Sequence, residues 1–216
     1  MPVYTSDALI LRTYSLGESD RIVVFLTRDR GKKRGVAKNA RQSRRRFGGA
    51  LEPMTCGRVS YMERERRDLV ALHYVEVTRS PLSAIEGEAF GYVGYFAELI
   101  DEWAQEADPS EPVYRLGVSI VEALARGVPI EPIARYFEFW LLRLQGVYEP
   151  DARLSVDAKA FLAAARTCTP IGLAEVTVSR GVLRELEGAH RTLIAMHLEK
   201  ELKSARVLRA MRLTHS

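Results

Sequence analysis

The chain has 216 residues, 47% of them hydrophobic and 28% charged, with a net charge of +4. This composition is that of an ordinary globular protein and excludes a disordered chain. Because no apolar run approaches the roughly 18 residues of a membrane span and the N-terminus lacks a signal-peptide layout, we expect a cytoplasmic protein with no membrane partner.

The first 80 residues have the pattern of β-strands separated by short turns. The last segment carries apolar residues on both faces, which predicts that its outer face is covered. Gly31 ends a hairpin turn, since glycine adopts positive φ without steric cost. Five strands in so short a stretch predict a small closed barrel, and the oligonucleotide/oligosaccharide-binding (OB) fold is a common barrel that binds single strands. The predicted strands are residues 8–13, 21–27, 33–38, 51–62 and 68–78.

From Pro81 onward the apolar residues recur every three or four positions, which predicts helices with one buried face. Pro129 and Pro132 mark the start of the third helix and Gly146 its end; apolar side chains on both of its sides make it central to the bundle. The predicted helices cover 90–104, 113–124, 133–144, 155–166, 184–202 and 203–212. We therefore predict an α+β protein with an OB-fold nucleic-acid-binding domain at 1–80 and an α-helical bundle domain at 81–216.

The strongest functional signal is a basic run from Arg28 to Arg46, where ten cations are opposed only by Asp29. Residues 1–80 hold 17 Lys and Arg against 9 Asp and Glu, whereas 81–216 hold 15 against 19. Such crowded cations repel one another, and binding a phosphate backbone relieves this repulsion and releases counterions. The alternative is a solvated basic loop without a partner. The predicted DNA-binding residues are Arg30, Lys32, Lys33, Arg34, Lys38, Arg41, Arg44, Arg45, Arg46 and Phe47.

Aromatic side chains near this run are candidates for stacking on bases. For Phe47 stacking and core packing remain equally open, whereas we interpret Tyr14 and Tyr61 as packing residues. A second basic cluster near the C-terminus either binds DNA or an acidic peptide, or is a solvated last helix that complements the helix dipole. Its members are Lys203, Arg206, Arg209 and Arg212.

Residue constellations for catalysis are missing from the sequence. The four histidines are scattered, and no phosphate-binding loop, nucleophile elbow or dinucleotide fingerprint is present. The two cysteines, Cys56 and Cys168, do not make a four-ligand zinc site, and a disulfide between them is disfavoured in the cytoplasm. We therefore expect a protein that is not an enzyme and binds no cofactor or metal.

The predicted barrel contains an ordered set of short motifs. They are Leu11-Arg12-Thr13, Gly17-Glu18-Ser19-Asp20-Arg21, Phe25-Leu26-Thr27-Arg28, Gly31, Val36-Ala37-Lys38-Asn39-Ala40-Arg41, Ser43-Arg44 and Ala50-Leu51-Glu52-Pro53. In this combination they resemble the N-terminal domain of the RecO family of bacterial DNA-repair and recombination-mediator proteins. The segment 197–204 is also similar to the final helix of that family.

The resemblance implies a protein of the RecFOR pathway that binds single- and double-stranded DNA and anneals complementary strands. It implies action with RecR, displacement of the single-strand-binding protein (SSB), and thereby loading of RecA. It also implies that the helical domain receives the acidic C-terminal tail of SSB, for which Arg135, Phe139, Leu142 and Arg143 are candidates. Many family members carry a four-cysteine zinc element after the segment that corresponds to 146–150. Because residues 151–167 contain no cysteine, we expect no zinc and an ordinary helix there.

Two other functions remain open. The basic loop fits an OB-fold RNA-binding or ribosome-associated module as well as it fits a DNA-binding one. A nuclease is less favoured, because it normally needs clustered carboxylates for its metal ions, and the basic half has few.

Overall fold

Five strands form a closed barrel in the N-terminal part of the chain. The structure is a computed structural model; it describes residues 2–63, 68–87, 89–149 and 151–214, with the side chains of 212–214 left out. Around the barrel the strand order is β1-β2-β3-β5-β4, and only the β3–β5 pairing is parallel. This is the OB-fold topology, so the predicted fold class is confirmed. The strands are β1 (Val3–Leu16), β2 (Asp20–Thr27), β3 (Gly31–Ala37), β4 (Cys56–Met62) and β5 (Val70–Arg79).

β1 is longer than its apolar run because it pairs with two neighbours in succession. Its first half pairs with β4, from Val3 opposite Met62, and its second half pairs with β2, as far as Leu16 opposite Asp20. β4, in contrast, begins later than predicted. The preceding segment turns at Met54, which has a φ of 60° and donates its backbone N–H to the Ile10 carbonyl at 2.7 Å.

The barrel interior is filled from all five strands, with Phe25 and Tyr61 packed edge to face at 5.6 Å between ring centroids. The prediction that the outer face of the last strand, β5, is covered is wrong. A register shift falls where Ser60 pairs with Tyr74 and Tyr61 pairs with Leu72, so β5 changes phase. As a result Tyr74 lies on the outer face and is exposed; Val77, on the face of Val75, is exposed as well. The strands covered on both faces are instead β1 and β2.

The predicted helices are confirmed, with shifted ends. Ser155 and Ser179 cap α5 and α6, because their hydroxyls accept backbone N–H groups from the first turn. The left-handed Glu199 ends α6 four residues earlier than predicted. The predicted helix in 151–167 is α5. The helices are α1 (Arg44–Phe47), α2 (Ala89–Trp103), α3 (Glu111–Ala125), α4 (Ile130–Leu144), α5 (Val156–Thr167), α6 (Arg180–Leu198) and α7 (Lys203–Thr214), with 3-10 turns at Pro81–Ser83 and Ile171–Glu175.

The chain folds into two compact units. The first contains residues 1–81 and 93–121, so the barrel and the adjacent parts of α2 and α3 form one body. The second contains residues 82–92 and 122–216. In the second unit α4 packs against both α5 and α6, which agrees with its predicted central place. The predicted domain boundary at residue 80 stays a prediction.

Candidate nucleic-acid interface

The predicted DNA-binding cations fall into two groups that differ in their partners. In β3, Lys32 is only 13% exposed, and its Nζ lies 3.1 Å from Asp101 Oδ1. Lys33 lies 2.9 Å from Glu63 Oε1 and is 17% exposed. Carboxylates of the same compact unit thus already neutralise both lysines. Neither lysine is available to a phosphate without breaking its pair.

Three arginines around β3 have weaker, exposed partners. Arg28 donates Nε and NH2 to Glu111 Oε1 at 3.0 and 2.8 Å, and this contact raises the pKa of the Arg28 guanidinium. Arg34 lies 3.9 Å from Glu106, and Arg30 stacks over the Tyr4 ring at 3.9 Å. Exposed ion pairs contribute little to stability, so a phosphate can compete for these arginines.

The second group follows β3, and we call it the loop cluster. Within the described parts of the chain, none of its members has a carboxylate within ion-pairing distance. Arg41 donates to Ser15 Oγ at 2.7 Å and to the Glu18 carbonyl at 3.1 Å, so its position is set by the β1–β2 turn. Arg46 is half-buried and donates to Ser43 Oγ and to the Lys38 carbonyl, each at 2.9 Å. The loop cluster consists of Lys38, Arg41, Arg44, Arg45 and Arg46, the first four of them exposed.

The aromatic candidates differ from the sequence interpretation. Phe47 is 3% exposed and belongs to the barrel core, so its prediction as a DNA-binding residue is wrong for this conformation: α1 turns the ring inward under Arg46. Tyr61 is fully buried, as interpreted, and burial raises the pKa of its hydroxyl to about 12. Tyr14, which we interpreted as a packing residue, is 43% exposed. A register shift between Ile10 and Arg12 reverses the alternation of β1 and places Tyr14 on the outer face. The alternation of β1 alone, continued from the inward Ile10, would have placed this ring inward.

The C-terminal basic cluster lies on α7. Arg206 and Arg209 are exposed, but Arg209 pairs with Glu201. Lys203 is exposed and has a partner within the protein, whereas the side chain of Arg212 lies outside the described residues. This cluster is therefore less free than the loop cluster.

The four residues predicted for an acidic tail divide in the same way. Arg135 and Leu142 are buried, with 2% and 0% exposure, and Arg135 pairs with Glu138 at 3.1 Å. They form core contacts rather than a rim, so this part of the prediction is wrong. Arg143 is exposed and lies over the Phe139 and Trp140 rings, 5.5 Å from each centroid.

Phe139 and Arg143 line an open groove of about 530 Å³ in the second unit. Lys159 and Arg166 also line it, and sequence analysis missed them although their spacing of seven places them on one face of α5. Asp151, a carboxylate of the groove lining, pairs with Arg153 at 2.9 Å. The pKa of Asp151 is lowered by the hydrogen bonds from Arg153. Cations over aromatic and aliphatic walls suit a peptide that is acidic and apolar.

Other chemistry is sparse in the described parts of the chain. They contain no group of three or more His, Cys, Asp or Glu that could hold a metal ion. Burial raises the pKa of the Cys56 thiol to about 12, so this thiol is protonated and poorly nucleophilic. No helix that the structure describes is long and apolar enough to span a membrane.

Comparison with known proteins finds similar sequences for both parts of the chain. Residues 1–81 match the family Recombination protein O N terminal, and residues 86–153 match Recombination protein O C terminal. The DNA repair protein RecO of Koribacter versatilis is 43% identical over 147 residues, 68% of this chain and 59% of that protein. The protein of the same name in Geobacter sulfurreducens is 40% identical over 155 residues, 71% of this chain and 61% of the relative. The aligned part thus covers less than two thirds of either relative.

Proposed function

Because the chain belongs to the RecO family of recombination and DNA-repair proteins, we propose that it binds DNA and that the loop cluster supplies its main phosphate contacts. The observation that carries this proposal is the contrast within one basic run. Lys32 and Lys33 have carboxylate partners, whereas Arg44 and Arg45 extend into solvent with no such partner among the described residues. Mutually repelling cations without internal partners gain most from a polyanion, since each phosphate contact releases a condensed counterion.

The test is the salt dependence of oligonucleotide binding. The double variant Arg44→Ala/Arg45→Ala should bind a fluorescent single-stranded 20-mer more weakly. The slope of log K against log salt should fall in magnitude by about 0.7 for each phosphate that the variant no longer binds. Arg58→Ala is the matched control, because Arg58 is an exposed arginine on β4 that pairs with Asp7. An unchanged slope in the double variant, or an equal change in the control, contradicts the proposal.

We propose that this binding serves recombination mediation. The protein would hold single- and double-stranded DNA by the backbone without reading sequence, and would anneal complementary strands by screening their charges. It would act with RecR on SSB-coated strands so that RecA can load, in the bacterial cytoplasm at the nucleoid. The α7 cations are a proposed second contact for DNA.

We further propose that the groove beside α4 and α5 binds the acidic C-terminal tail of SSB. Arg143, Lys159 and Arg166 would pair with its carboxylates, and the accessible part of the Tyr148 ring would take its apolar end. The Tyr148 ring is held by edge-to-face packing on Phe139, 4.9 Å between centroids, and Phe139 is itself only 1% exposed. Compared with the residues predicted from the sequence, the proposed contact omits the buried Arg135 and adds two cations of α5, Lys159 and Arg166.

A short synthetic peptide with several aspartates and a C-terminal phenylalanine tests the groove. Arg143→Ala and Lys159→Ala should each weaken its binding in calorimetry, whereas Arg184→Ala, an exposed arginine on α6, should not. Equal affinity for the peptide and for a version ending in serine would argue against an apolar pocket.

We propose that the protein acts without catalysing a reaction. Incubation of labelled DNA with magnesium or manganese should leave it intact, and clean cleavage would refute this. Competition between DNA and RNA strands of equal length distinguishes the RNA-binding alternative, which predicts that RNA displaces DNA efficiently.

A further inference from the structure

The outer face of β1, β2 and β3 consists of three rows of side chains that run across the strands. Residues paired across neighbouring strands lie on the same face of the sheet, so the register defines each row. Every row has one residue from each strand. The first row is Leu9, Leu26 and Lys32; the second is Arg12, Val24 and Arg34; the third is Tyr14, Ile22 and Val36.

The apolar part of the first row is covered by the helical part of the same compact unit. Leu9 and Leu26 are fully buried although they point away from the barrel interior. Leu9 lies so close to α3 that a β-carbon on Gly117 would come within 2.5 Å of Leu9 Cδ2. A strand of DNA has no access to this row.

Lys32 of the first row and Arg12 of the second row face carboxylates of α2. Arg34, in contrast, is exposed, and its partner Glu106 lies 3.9 Å away. Asp101 lies 3.1 Å from Lys32 and 3.5 Å from Arg12, and Glu98 lies 3.8 Å from Arg12. Asp101 is itself only 14% exposed. These carboxylates already pair with both cations, and a phosphate at this place would meet their negative charge.

The third row, in contrast, is accessible. Tyr14 is 43% exposed, and its hydroxyl accepts a hydrogen bond from Arg12 NH1 at 2.9 Å. Because Arg12 is held by α2, this contact orients the ring. Arg41 of the loop cluster donates to Ser15, the residue next to Tyr14, so the aromatic ring and the loop cluster are neighbours.

We propose that Asp101 and Glu98 keep DNA away from Lys32 and Arg12, and that an unpaired base of a single strand stacks on Tyr14 in the third row while its backbone follows the loop cluster. The inference rests on the proposed DNA binding and specifies its substrate: a strand with an accessible base face. Aromatic stacking is tolerant of sequence and adds to phosphate contacts. A duplex, whose bases are already stacked on one another, contacts the loop cluster alone.

The first experiment compares Tyr14→Leu with Tyr74→Leu, since Tyr74 is an equally exposed tyrosine on β5 of the same barrel. Loss of one stacked base should weaken binding of a single-stranded oligonucleotide about tenfold. The salt slope should be unchanged, because no charge is removed. Duplex affinity should be unaffected, and Tyr14→Phe should bind the single strand as the unaltered protein does.

The second experiment tests the covered rows with Lys32→Met, which removes the charge and keeps the methylene stem. Its salt slope should equal that of the unaltered protein, while Arg44→Ala/Arg45→Ala lowers it. The slope is independent of any loss of folded protein, so it remains informative if Lys32→Met is less stable.

Any of three results would overturn the inference: normal single-strand binding by Tyr14→Leu, an equal loss of affinity for duplex and single strand in Tyr14→Leu, or a reduced salt slope in Lys32→Met. If the unaltered protein binds DNA and the loop cluster is required, such a result refutes only the proposed course of the strand along the third row. If the unaltered protein does not bind DNA, the proposed function fails as well.

Discussion

Replacing Glu138 with glutamine is expected to destabilise the second unit strongly, because the Glu138 carboxylate lies between the buried side chains of Arg135 and His190. Its Oε1 lies 3.1 Å from Arg135 NH2, and its Oε2 lies 3.0 Å from His190 Nδ1. The side chains of Glu138 and Arg135 are each 3% exposed, and that of His190 is 1% exposed. Water therefore does not screen the charge of this carboxylate.

The magnitude follows from what remains after the change. Glutamine keeps the volume but removes the negative charge. Glu187, which lies 3.7 Å from Arg135 and is 26% exposed, would remain as a carboxylate partner of Arg135. Breaking a buried ion pair by removing one partner costs about 3–5 kcal/mol. Since Glu187 partly compensates Arg135, we expect a loss of about 3 kcal/mol, the lower end of that range.

The two tryptophans make the assay specific to each unit. Trp103 lies in the first unit and Trp140 in the second, so a Trp103→Phe background leaves Trp140 as the only indole. Its Nε1 donates to the Ala165 carbonyl at 2.9 Å, and its fluorescence should change when α4 and α5 separate. Urea unfolding followed by the fluorescence of Trp140 gives the free energy of unfolding of the second unit.

A matched control is Glu122→Gln, which removes a carboxylate 3.5 Å from Arg126 in an exposed pair. Exposed pairs of this spacing contribute about 0.3–0.5 kcal/mol. The reasoning is refuted if Glu138→Gln costs less than about 1 kcal/mol, or if both variants cost the same.

Three further predictions concern the backbone and titrating groups. Gly31→Ala should lower the urea stability of the first unit by more than Gly17→Ala: both glycines have positive φ, near 69° and 61°, but a β-carbon at Gly31 would lie 2.5 Å from backbone atoms, whereas Gly17 has open space. Gly17→Ala itself should cost about 1–2 kcal/mol. Because burial raises the pKa of the Cys56 thiol from 9.0 to about 12, the unfolded chain loses this proton first. Stability should therefore fall as the pH rises from 9 to 12, by at most about 1.4 kcal/mol per pH unit. Cys56→Ala should flatten this decline in urea titrations at several pH values. The pKa of Glu185 is lowered by its hydrogen bonds from Ser155, so its contribution to stability is lost as the pH falls below 4.5. Ser155→Ala should raise the pKa of Glu185, measured by carboxyl NMR, only part of the way to its ordinary value, because the backbone N–H of residue 155 still donates to this carboxylate.

Local sequence patterns were sufficient for the elements of the fold. The β-branched run of β2 and the glycine at Gly31 predicted a hairpin that the structure confirms. Apolar stripes predicted the helices, and Pro129 and Gly146 marked the limits of α4. These signals lie within one element or its flanking residues, where backbone geometry and side-chain period act directly.

The position of the bulges and the burial of single aromatic rings depended on contacts between strands. His73 falls at a register shift that β5 makes against β4, and nothing in the alternation of β5 itself indicates it. Phe47 follows the basic run in sequence, but one turn of helix directs its ring into the barrel core.

Composition and side-chain periodicity were sufficient to establish the fold class, the basic character of the first 80 residues and the place of the cation run. Which of those cations are neutralised by carboxylates depends on the folded arrangement of the chain. Lys32 and its partner Asp101 are 69 positions apart, and a charge pattern read along the chain does not contain that pairing. The physical reason is that an ion pair forms between side chains close in space, whereas composition and periodicity report only neighbours in sequence.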